Sequence, residues 1–491
     1  MRALAVVLMA LATSSCAEPK PQPQSSAATD TSTGKVTMTS KSPEAIEHLK
    51  KGEALMVNLR TGEAADELAE ALKLDPGFVL AHATHGQATP GPDGLKELET
   101  AAASASALPE AERTMIEGML ASRQNESAKA REAFTKVTQL APSDWRGFYL
   151  LGTQLLGAED YTGAVPALRK AIELDPAAGG ANNMIGYAAL RQGDTDGAIK
   201  AFTEYAHALP QEPNPQDSLG EALLAAGRFK EAEAAFLKAF ELSPQFFGAY
   251  DGVAYAKYYA GDARGALDAL AKEKAAATRP VDKLGADELR AMMLIAQNKT
   301  AEGLALYTDL EKMTDAMPAV ALVPAHRAYM LVQQGRGREA MPIIAAALKR
   351  ADSGELPPAL SRTLRDQVLG ARIAAEVAAK NAEAAQQTAV ALQQLATERP
   401  DDVTAQSAMH FGMGMAAMAK RDYAGARGHF ETCLSTDFSC RAQTVAAAAR
   451  AGDKAGADAA RAAFLKLYVR DPIHLWERSR LQDKSARSST E

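Results

Sequence analysis

Aromatic residues are scarce in this chain. Phenylalanine, tryptophan and tyrosine together make up 5% of its 491 residues, whereas alanine is abundant. The distance between packed helices depends on the size of the side chains at their contact, so many small side chains and few rings allow close packing. The composition therefore fits a protein built from closely packed helices.

A basic surface is also missing. The chain has 54 Lys and Arg residues against 61 Asp and Glu residues, which gives a net charge of −7. Nucleic-acid binding depends on a basic stripe that neutralises phosphates. Because no stretch combines clustered Lys and Arg with interleaved aromatics, we expect no nucleic-acid partner and assign the charged residues to solvated helix faces.

The spacings that identify common catalytic sites are absent. The sequence has no His-Glu-x-x-His, no Gly-x-Ser-x-Gly and no glycine-rich phosphate loop followed by Lys. The adjacent carboxylates Asp401 and Asp402 fall in a predicted turn. We therefore expect no catalytic residue and no cofactor. An enzyme whose site is assembled from scattered residues is the least favoured alternative.

Histidines do not form a convincing metal site in the sequence. His82 and His85 are three residues apart, but no third ligand lies nearby, so helix packing and capping is the expected role. His410 and His429 are single residues at repeat positions, where each is expected to be structural. The sequence therefore predicts no metal centre.

The strongest positive signal is a period of 34 residues between Trp145 and Pro280. A hydrophobic–small pair recurs at this interval, an alanine follows the second member of each pair by twelve residues, and a large apolar residue comes four residues later. The first three repeats close with proline. The recurring residues are Leu151-Gly152, Ile185-Gly186, Leu219-Gly220 and Val253-Ala254, then Ala164, Ala198, Ala232 and Ala266, then Leu168, Phe202, Phe236 and Leu270, and the prolines Pro176, Pro210 and Pro244.

This pattern resembles the tetratricopeptide repeat, a helix pair with small residues at positions 8 and 20, a large apolar residue at 24 and proline at 32. The resemblance implies an all-α solenoid in which each helix pair contacts only its neighbours. We expect Gly152 to pack against Ala164 and Gly186 against Ala198, because two helices approach closely only where both faces are small. Phe202 is expected to fill the space between neighbouring repeats.

The helical pattern extends over most of the chain. We predict about twelve antiparallel helix pairs: a repeat array over residues 43–280, with one degenerate repeat at 79–110 and a longer connection in it, and degenerate repeats over 281–476. A bend or a separate packing block is expected near 275–285. Residues 477–491 are predicted to form a C-terminal tail, which is polar and expected to fray from Ser479 onward.

The N-terminus carries features of an export signal. Arg2 is followed by ten apolar residues, which are too few to span a bilayer, and residues 1–15 are predicted to be a signal peptide. The sequence Thr13-Ser14-Ser15-Cys16 resembles the lipobox of bacterial lipoproteins, although Leu is usual where Thr13 stands. The resemblance implies lipidation of Cys16 and, with Ala17 after it, sorting to an outer membrane. Ordinary cleavage near Ala17 and an incidental Cys16 are the alternatives.

Residues 16–42 are predicted to be a disordered linker. They are rich in Pro, Gln, Ser and Thr and lack apolar periodicity, so they cannot bury enough surface to fold. Such a linker would hold a folded body away from a membrane anchor. We therefore expect an exported protein, anchored by its N-terminal lipid to a bacterial outer membrane and facing the periplasm, with a soluble periplasmic protein as the alternative.

The resemblance also implies a binding surface, because the first helix of each repeat lines the concave face of such arrays. The side chains at the corresponding positions combine tyrosines, which are enriched at binding hot spots, with an acidic run. Padding of contacts between repeats is the alternative role. The predicted groove residues are Arg146, Tyr149, Asn183, Tyr187, Arg191, Asp217, Glu221, Asp251, Tyr255 and Tyr259.

The groove composition indicates a type of partner. Some members of the family capture a C-terminal carboxylate with Lys, Asn and Arg at fixed positions, and the basic residues are missing here. An extended or helical peptide with some basic character fits the acidic run better. We therefore expect a non-catalytic scaffold of the bacterial cell envelope that binds protein or peptide partners, with a soluble periplasmic or cytoplasmic regulator as the alternative.

Two further cysteines lie seven residues apart. Cys433 closes one predicted helix and Cys440 begins the next, so the turn between them is short enough to bring both within disulfide range. An exported protein permits such a bridge. Two small buried thiols are the alternative.

Overall fold

The computed structural model describes residues 34–124, 126–246, 248–312, 318–400 and 402–482. The predicted signal peptide and Cys16 lie outside these residues. In the part of the chain that is described, twenty-five α-helices and no β-strand are present, which confirms the all-α prediction. Within these same ranges, no helix combines the length and apolar character needed to cross a membrane.

The first twenty-four helices form twelve consecutive pairs, as predicted, and a single helix follows them. The helices are α1 (Pro43–Val57), α2 (Thr61–Leu74), α3 (Val79–Ala88), α4 (Gly91–Ser104), α5 (Glu110–Arg123), α6 (Ser127–Leu140), α7 (Trp145–Gly157), α8 (Tyr161–Leu174), α9 (Ala181–Arg191), α10 (Thr195–Ala208), α11 (Pro213–Ala225), α12 (Phe229–Leu242), α13 (Gly248–Tyr259), α14 (Ala263–Ala276), α15 (Pro280–Ala296), α16 (Thr300–Glu311), α17 (Val323–Gln333), α18 (Gly337–Asp352), α19 (Pro358–Ala378), α20 (Ala382–Thr397), α21 (Val403–Ala419), α22 (Tyr423–Thr432), α23 (Phe438–Arg450), α24 (Lys454–Leu465) and α25 (Pro472–Gln482).

The chain divides into two compact modules. The N-terminal module ends at Ala222 and the C-terminal module begins at Leu223, so the boundary lies inside α11. A bend or separate packing block was predicted near residues 275–285, and the division between the compact modules instead lies between residues 222 and 223.

A recurring motif begins the second helix of five pairs. An aspartate accepts a hydrogen bond from the backbone N–H of the glycine three residues later, which satisfies an otherwise unpaired donor at the helix start. The residue before each aspartate has positive φ, so the chain turns sharply between the two helices. The five pairs are Asp160 and Gly163, Asp194 and Gly197, Asp262 and Gly265, Asp422 and Gly425, and Asp453 and Gly456.

The small residues of the repeat do create close contacts, but with different neighbours than expected. A Cβ added to Gly186 would lie 2.5 Å from ring atoms of Phe202, and one added to Gly152 would lie 2.6 Å from Cγ of Leu168. These nearest atoms belong to the large apolar residue of the repeat, whereas Ala164 and Ala198 were the expected contacts. The glycine thus makes room for a large side chain, which the other helix of the same pair inserts against its backbone.

The degenerate repeat is more compact than predicted. Its helices α3 and α4 are joined by Thr89 and Pro90 alone, because Gly91 already begins α4. A Cβ on Gly94 would lie 2.1 Å from the carbonyl oxygen of Thr89, so only glycine fits this close approach. The prediction of a longer connection here was wrong.

Both chain ends of the described region are more ordered than the sequence suggests. Residues 34–41, which composition assigns to the linker, hydrogen-bond to the N-terminal module; Thr39 N–H and hydroxyl, for example, both donate to the Glu112 carboxylate. Residues 477–482, assigned to the C-terminal tail, belong to α25, where Glu477 is fully buried. Both segments have low hydrophobicity and are held largely by polar contacts, so their composition does not indicate that they are ordered.

Candidate protein-interaction surface

The predicted groove residues lie on the first helices of four consecutive pairs. Arg146 and Tyr149 belong to α7, Asn183, Tyr187 and Arg191 to α9, and Asp217 and Glu221 to α11, all within the N-terminal module. Asp251, Tyr255 and Tyr259 belong to α13 of the C-terminal module. Each predicted groove residue therefore lies on the first helix of a pair, as the repeat resemblance implies. The neighbours of each side chain decide whether a partner can reach it.

Arg146 is not available to a partner. Its guanidinium is buried and bonds Asp144 twice, through Nε to Oδ1 at 2.9 Å and through Nη2 to Oδ2 at 2.6 Å. Nη1 donates to Glu53 at 3.4 Å, and Nη2 donates to the carbonyl of Val36 at 3.1 Å. The predicted contact residue is therefore the centre of an internal ion network that joins α1, α7 and the segment 34–41.

The three ionisable groups of this network differ in how their pKa values are shifted. Burial opposes ionisation of both carboxyls; it raises the pKa of Glu53, whose one contact with Arg146 is long. For Asp144, the hydrogen bonds and charge of Arg146 outweigh burial and hold the pKa below its ordinary value. Burial would lower the pKa of Arg146, but Glu53 and Asp144 together raise it, so the guanidinium stays charged. Asp144 is thus the main counter-ion.

A polar ladder connects α9 with α11. The Tyr187 hydroxyl donates to Oε2 of Glu221 at 2.6 Å, and Glu221 occupies the same position one repeat later. Beside it, the Ser218 hydroxyl donates to Oδ1 of Asn183 at 3.0 Å. Asn183 is buried, whereas Tyr187 and Glu221 are half-buried, so the ladder has an inner and an outer rung. The outer rung is therefore partly exposed.

Four of the predicted residues form a partly open surface. Arg191 is exposed, and Tyr149, Tyr187 and Glu221 are half-buried, whereas Asp217 is buried. We call the set Tyr149, Tyr187, Arg191 and Glu221 the α7–α11 face. It combines aromatic rings with one positive and one negative group, which is the composition typical of binding hot spots and their rims.

Of the predicted residues on α13, Tyr255 is buried, whereas Asp251 and Tyr259 are half-buried and contact other parts of the chain. Tyr255 is 3% exposed, and the Tyr259 hydroxyl donates to the carbonyl of Val469 at 2.9 Å. Burial raises the pKa of both tyrosines well above its ordinary value, so they are neutral. Asp251 shares a hydrogen bond with Glu273 on α14, and burial followed by this neighbouring charge raises the pKa of Glu273 strongly. The expectation of an accessible side chain was therefore wrong for Tyr255.

The histidines have protein partners. Nδ1 atoms of His82 and His85 lie 2.8 Å and 2.7 Å from the two carboxylate oxygens of Glu97 on α4, which accounts for both as helix-packing residues. His410 and His429, which are far apart in sequence, face one another with their Nδ1 atoms 3.2 Å apart. Burial followed by the charge of the neighbouring His429 ring lowers the pKa of His410.

Cys433 and Cys440 form a disulfide, with their Cα atoms 6.4 Å apart. It links the connection after α22 to the first turn of α23. Asp437, the N-cap residue of α23, lies between them and accepts from the Cys440 N–H at 3.1 Å. Bridge and cap together define the short turn that joins these two pairs.

The sequence analysis did not predict that two segments bind other parts of the same chain. Residues 34–41 bind the carboxylates of Asp75, Glu112 and Asp144, at the ends of helix pairs that follow one another. Residues 466–482 pack inside the C-terminal module. Neither segment has an apolar periodicity that would identify the surface it binds. For residues 466–482, the sequence feature that could have indicated packing is the concentration of Arg, Tyr, Trp and His after Leu465.

Two stretches of the chain match models of the tetratricopeptide repeat family, at residues 149–213 and 217–246. These stretches contain the α7–α11 face. They also cover the part of the chain in which the 34-residue period is most regular. Among curated protein sequences, none matches the chain.

Similar solved structures are repeat proteins that match about a third of the chain. The structure of MamA, 21% identical, covers 33% of this chain and 89% of its own, with a TM-score of 0.31. MamA from Desulfovibrio magneticus RS-1, 19% identical, covers 33% and 92%, with a TM-score of 0.31. YrrB, titled a TPR protein with an unusual peptide-binding site, is 20% identical and covers 35% and 90%, with a TM-score of 0.30.

Proposed function

We propose that this chain, with tetratricopeptide repeats in residues 149–246, is a non-catalytic scaffold of the bacterial cell envelope that binds protein or peptide partners. The repeats support the general role, because tetratricopeptide repeats are generally interaction scaffolds. The observation that carries the proposal is the α7–α11 face, a partly open surface of tyrosine, arginine and glutamate on the first helices of matched repeats.

The chemistry of this face defines the partner. Tyr149 and Tyr187 offer rings that bury apolar area with little loss of conformational freedom, Glu221 offers a half-buried carboxylate, and Arg191 offers an exposed guanidinium. A peptide that places an apolar residue between the rings and a basic residue near Glu221 would satisfy both. This is the basic, extended or helical ligand that the sequence predicts.

Charge reversal tests the face against a matched control. The variant Arg191→Glu with Glu221→Lys keeps the net charge and inverts the face, whereas Lys170→Glu with Glu173→Lys does the same to an exposed pair on α8. Crosslinking in the native envelope followed by mass spectrometry identifies the partners. Their binding to the purified chain should weaken about fivefold or more in the first variant only, since a hot spot costs more than about 1 kcal/mol.

Retention of every partner by the face variant would exclude this surface. Turnover of a small substrate by the purified chain without any partner would contradict the non-catalytic assignment. Circular dichroism of both variants separates a lost contact from a lost fold.

Export and lipid anchoring, the remaining parts of the proposal, rest on the N-terminal sequence. Replacing Cys16 by Ala should move the mature protein from the membrane fraction to the soluble periplasmic fraction, because the lipid would be its only membrane attachment. A mass increase corresponding to a lipid on the wild-type N-terminus is the direct measurement. A mature chain that begins after Cys16 would instead identify ordinary signal cleavage.

A further inference from the structure

The C-terminal segment, residues 466–482, lies against the first helices of several pairs in the C-terminal module. Its helix α25 packs on α15 and α23. His474 contacts Tyr259 of α13, and Glu477 accepts a hydrogen bond from Tyr329 of α17 at 3.1 Å. These four helices are all first members of their pairs, which the repeat resemblance assigns to the concave side. The segment also contacts two second members, α12 through Phe229 and α24 through Phe464. Its contacts with the four first helices place it on the surface where a ligand of this module would bind.

Helix α25 is enclosed rather than laid on a surface. Its residues 474–478 are five consecutive buried residues, and His474 and Glu477 have no exposed area. Because an α-helix has 3.6 residues per turn, five consecutive residues pass completely around it. Neighbours thus cover every side of this part of the helix, as the walls of a channel would.

The contacts inside this channel are polar and specific. The Tyr259 hydroxyl donates to the Val469 carbonyl, and its oxygen lies 3.0 Å from Nδ1 of His474. The Nδ1–H tautomer of His474 fits this arrangement, because its Nδ1–H can donate to the Tyr259 oxygen. Burial, followed by the nearby Arg478 and Arg441 charges, lowers the pKa of His474 to about 3, in keeping with a neutral ring.

Two arginines of the segment, Arg478 and Arg470, contact aromatic rings and backbone carbonyls around it. Arg478 lies over the Tyr468 ring at 4.4 Å and over the Tyr259 ring at 5.6 Å, and donates to the carbonyl of Leu467 at 3.0 Å. Arg470 lies over the Phe236 ring at 5.0 Å and donates to the carbonyl of Gly248. Its charge also acts on Glu273, whose carboxyl is paired with Asp251. A basic residue of the segment therefore meets an acidic pair on α13 and α14.

The buried part of the segment is more polar than the core helices of most proteins. Ionised groups are rarely buried in cores because their desolvation is costly unless they are paired. Here Glu477 and Arg478 are both buried within one short helix, next to the neutral His474, and Glu477 is paired with Arg480 of the same segment. The segment also follows α24, the last helix of the last pair, so it can leave without opening any repeat between two others.

We infer that the channel formed by α13, α15, α17 and α23 is a peptide-binding site of the C-terminal module, occupied by the chain's own residues 466–482 and open in exchange to a partner peptide of the same chemistry. Such a peptide has an aromatic residue and, two residues later, an arginine in an extended stretch, followed by a short helix with an arginine. The site is separate from the α7–α11 face and does not depend on its assignment. Occupation by the attached segment lowers the apparent affinity for a free peptide in proportion to the fraction of open channels.

Hydrogen exchange of the unmodified full chain is the first test. Amides of α25 should exchange through an opening that leaves the amides of α13 and α15 protected, and that depends less on denaturant than global unfolding does. Exchange of α25 only together with α13 and α15 would overturn the inference, because the segment would then be part of the core. This measurement needs no variant that might fail to fold.

Peptide binding to the full chain is the second test. The probe is a synthetic, fluorescently labelled peptide of residues 466–482. The variant Arg478→Ala removes the stacking and carbonyl contacts of the attached segment, while Arg450→Ala removes an exposed arginine of α23 as a matched control. Since more channels are open, the probe should bind Arg478→Ala about tenfold or more tighter than it binds the wild type or the control.

Two further arms locate the binding. Adding Tyr259→Ala to Arg478→Ala should abolish binding, because the channel loses the donor to Val469. A probe carrying Tyr468→Ala and Arg478→Ala, or the same residues in scrambled order, should not bind. Binding that survives Tyr259→Ala, equal binding of the scrambled probe, or no binding to a variant whose α25 amides exchange freely would each overturn the inference.

Discussion

Arg146 and Glu53 are 93 residues apart in sequence, and their side chains meet at 3.4 Å in the interior of the N-terminal module. Glu53 belongs to α1 and Arg146 to α7, so this contact spans from the first helix pair to the fourth. Both side chains are less than one-tenth exposed. A solenoid whose pairs touch only their neighbours would not make this contact, and the N-terminal module is therefore held together by more than its nearest-neighbour packing.

Replacing Arg146 by Met should destabilise the N-terminal module by about 3–5 kcal/mol, because Asp144 and Glu53 would be left buried without their counter-ion. The matched control is Lys170→Met, which breaks an exposed pair with Glu173 and should cost about 0–1 kcal/mol. Urea unfolding followed by circular dichroism measures both. A loss in the first variant no larger than in the control would show that the network does not stabilise the module.

Replacing Gly186 by Ala should cost about 1–3 kcal/mol, because the new Cβ would lie 2.5 Å from ring atoms of Phe202 and the packed pair would have to shift. Gly62 of α2 is the control, since a Cβ there meets nothing within 4 Å. Gly62→Ala should stabilise by about 0.4–1 kcal/mol, through the reduced freedom of the unfolded chain. Equal effects of the two substitutions on the unfolding midpoint would refute the role assigned to Gly186.

Repeat register explains why the fold was predictable from the sequence. Gly152 and Gly186 recur at a spacing that only stacked helix pairs satisfy, and the Asp-x-x-Gly caps mark where second helices begin. The same pattern did not reveal which side chain fills the glycine contact, because Leu168 and Ala164 lie one turn apart on the same helix face. That choice depends on the angle and offset of the two helices.

The candidate site was only partly predictable from the sequence. The position of a residue in the repeat predicts which helix carries it, but it does not predict whether another segment of the chain covers that helix. Arg191 is exposed and Tyr187 is half-buried, both on a helix that the repeat resemblance assigns to the binding surface. Arg146 and Tyr259 are covered by Val36 and Val469, which lie 110 and 210 residues away in sequence. No local periodicity encodes contacts of that range, and both covering segments bind through polar groups that composition assigns to solvent.

Removing the disulfide between Cys433 and Cys440 should destabilise the C-terminal module by about 2–3 kcal/mol, the loop-closure entropy expected for a bridge across seven residues. Urea unfolding with and without a thiol reductant measures this difference. The double variant Cys433→Ala with Cys440→Ala should unfold like the reduced wild type and should not respond to reductant. Alkylation of both cysteines in the unreduced, denatured protein would show that the bridge is absent.

The pair of Asp251 and Glu273 should make the C-terminal module lose stability as pH rises. Burial and the adjacent carboxylate raise the pKa of Glu273 in the folded chain, so folded molecules hold a proton that unfolded ones release above a pKa of about 4.3. The stabilisation is fully present below that unfolded value, and it is lost as pH rises toward the folded pKa.

Glu273→Gln should therefore be more stable than the wild type at pH 8, because the amide keeps a hydrogen-bond donor toward Asp251 without a charge to desolvate. Near pH 5 the two proteins should differ little in their free energy of unfolding. Between pH 5 and pH 8 this free energy should change less in the variant than in the wild type. The control is Glu241→Gln on α12, which changes an exposed partner of Lys238 and should leave the pH dependence as it is. Parallel unfolding curves for Glu273→Gln and the wild type across pH 5 to 8 would mean that Glu273 is ionised in the folded chain, and Arg470 would then have to be its counter-ion.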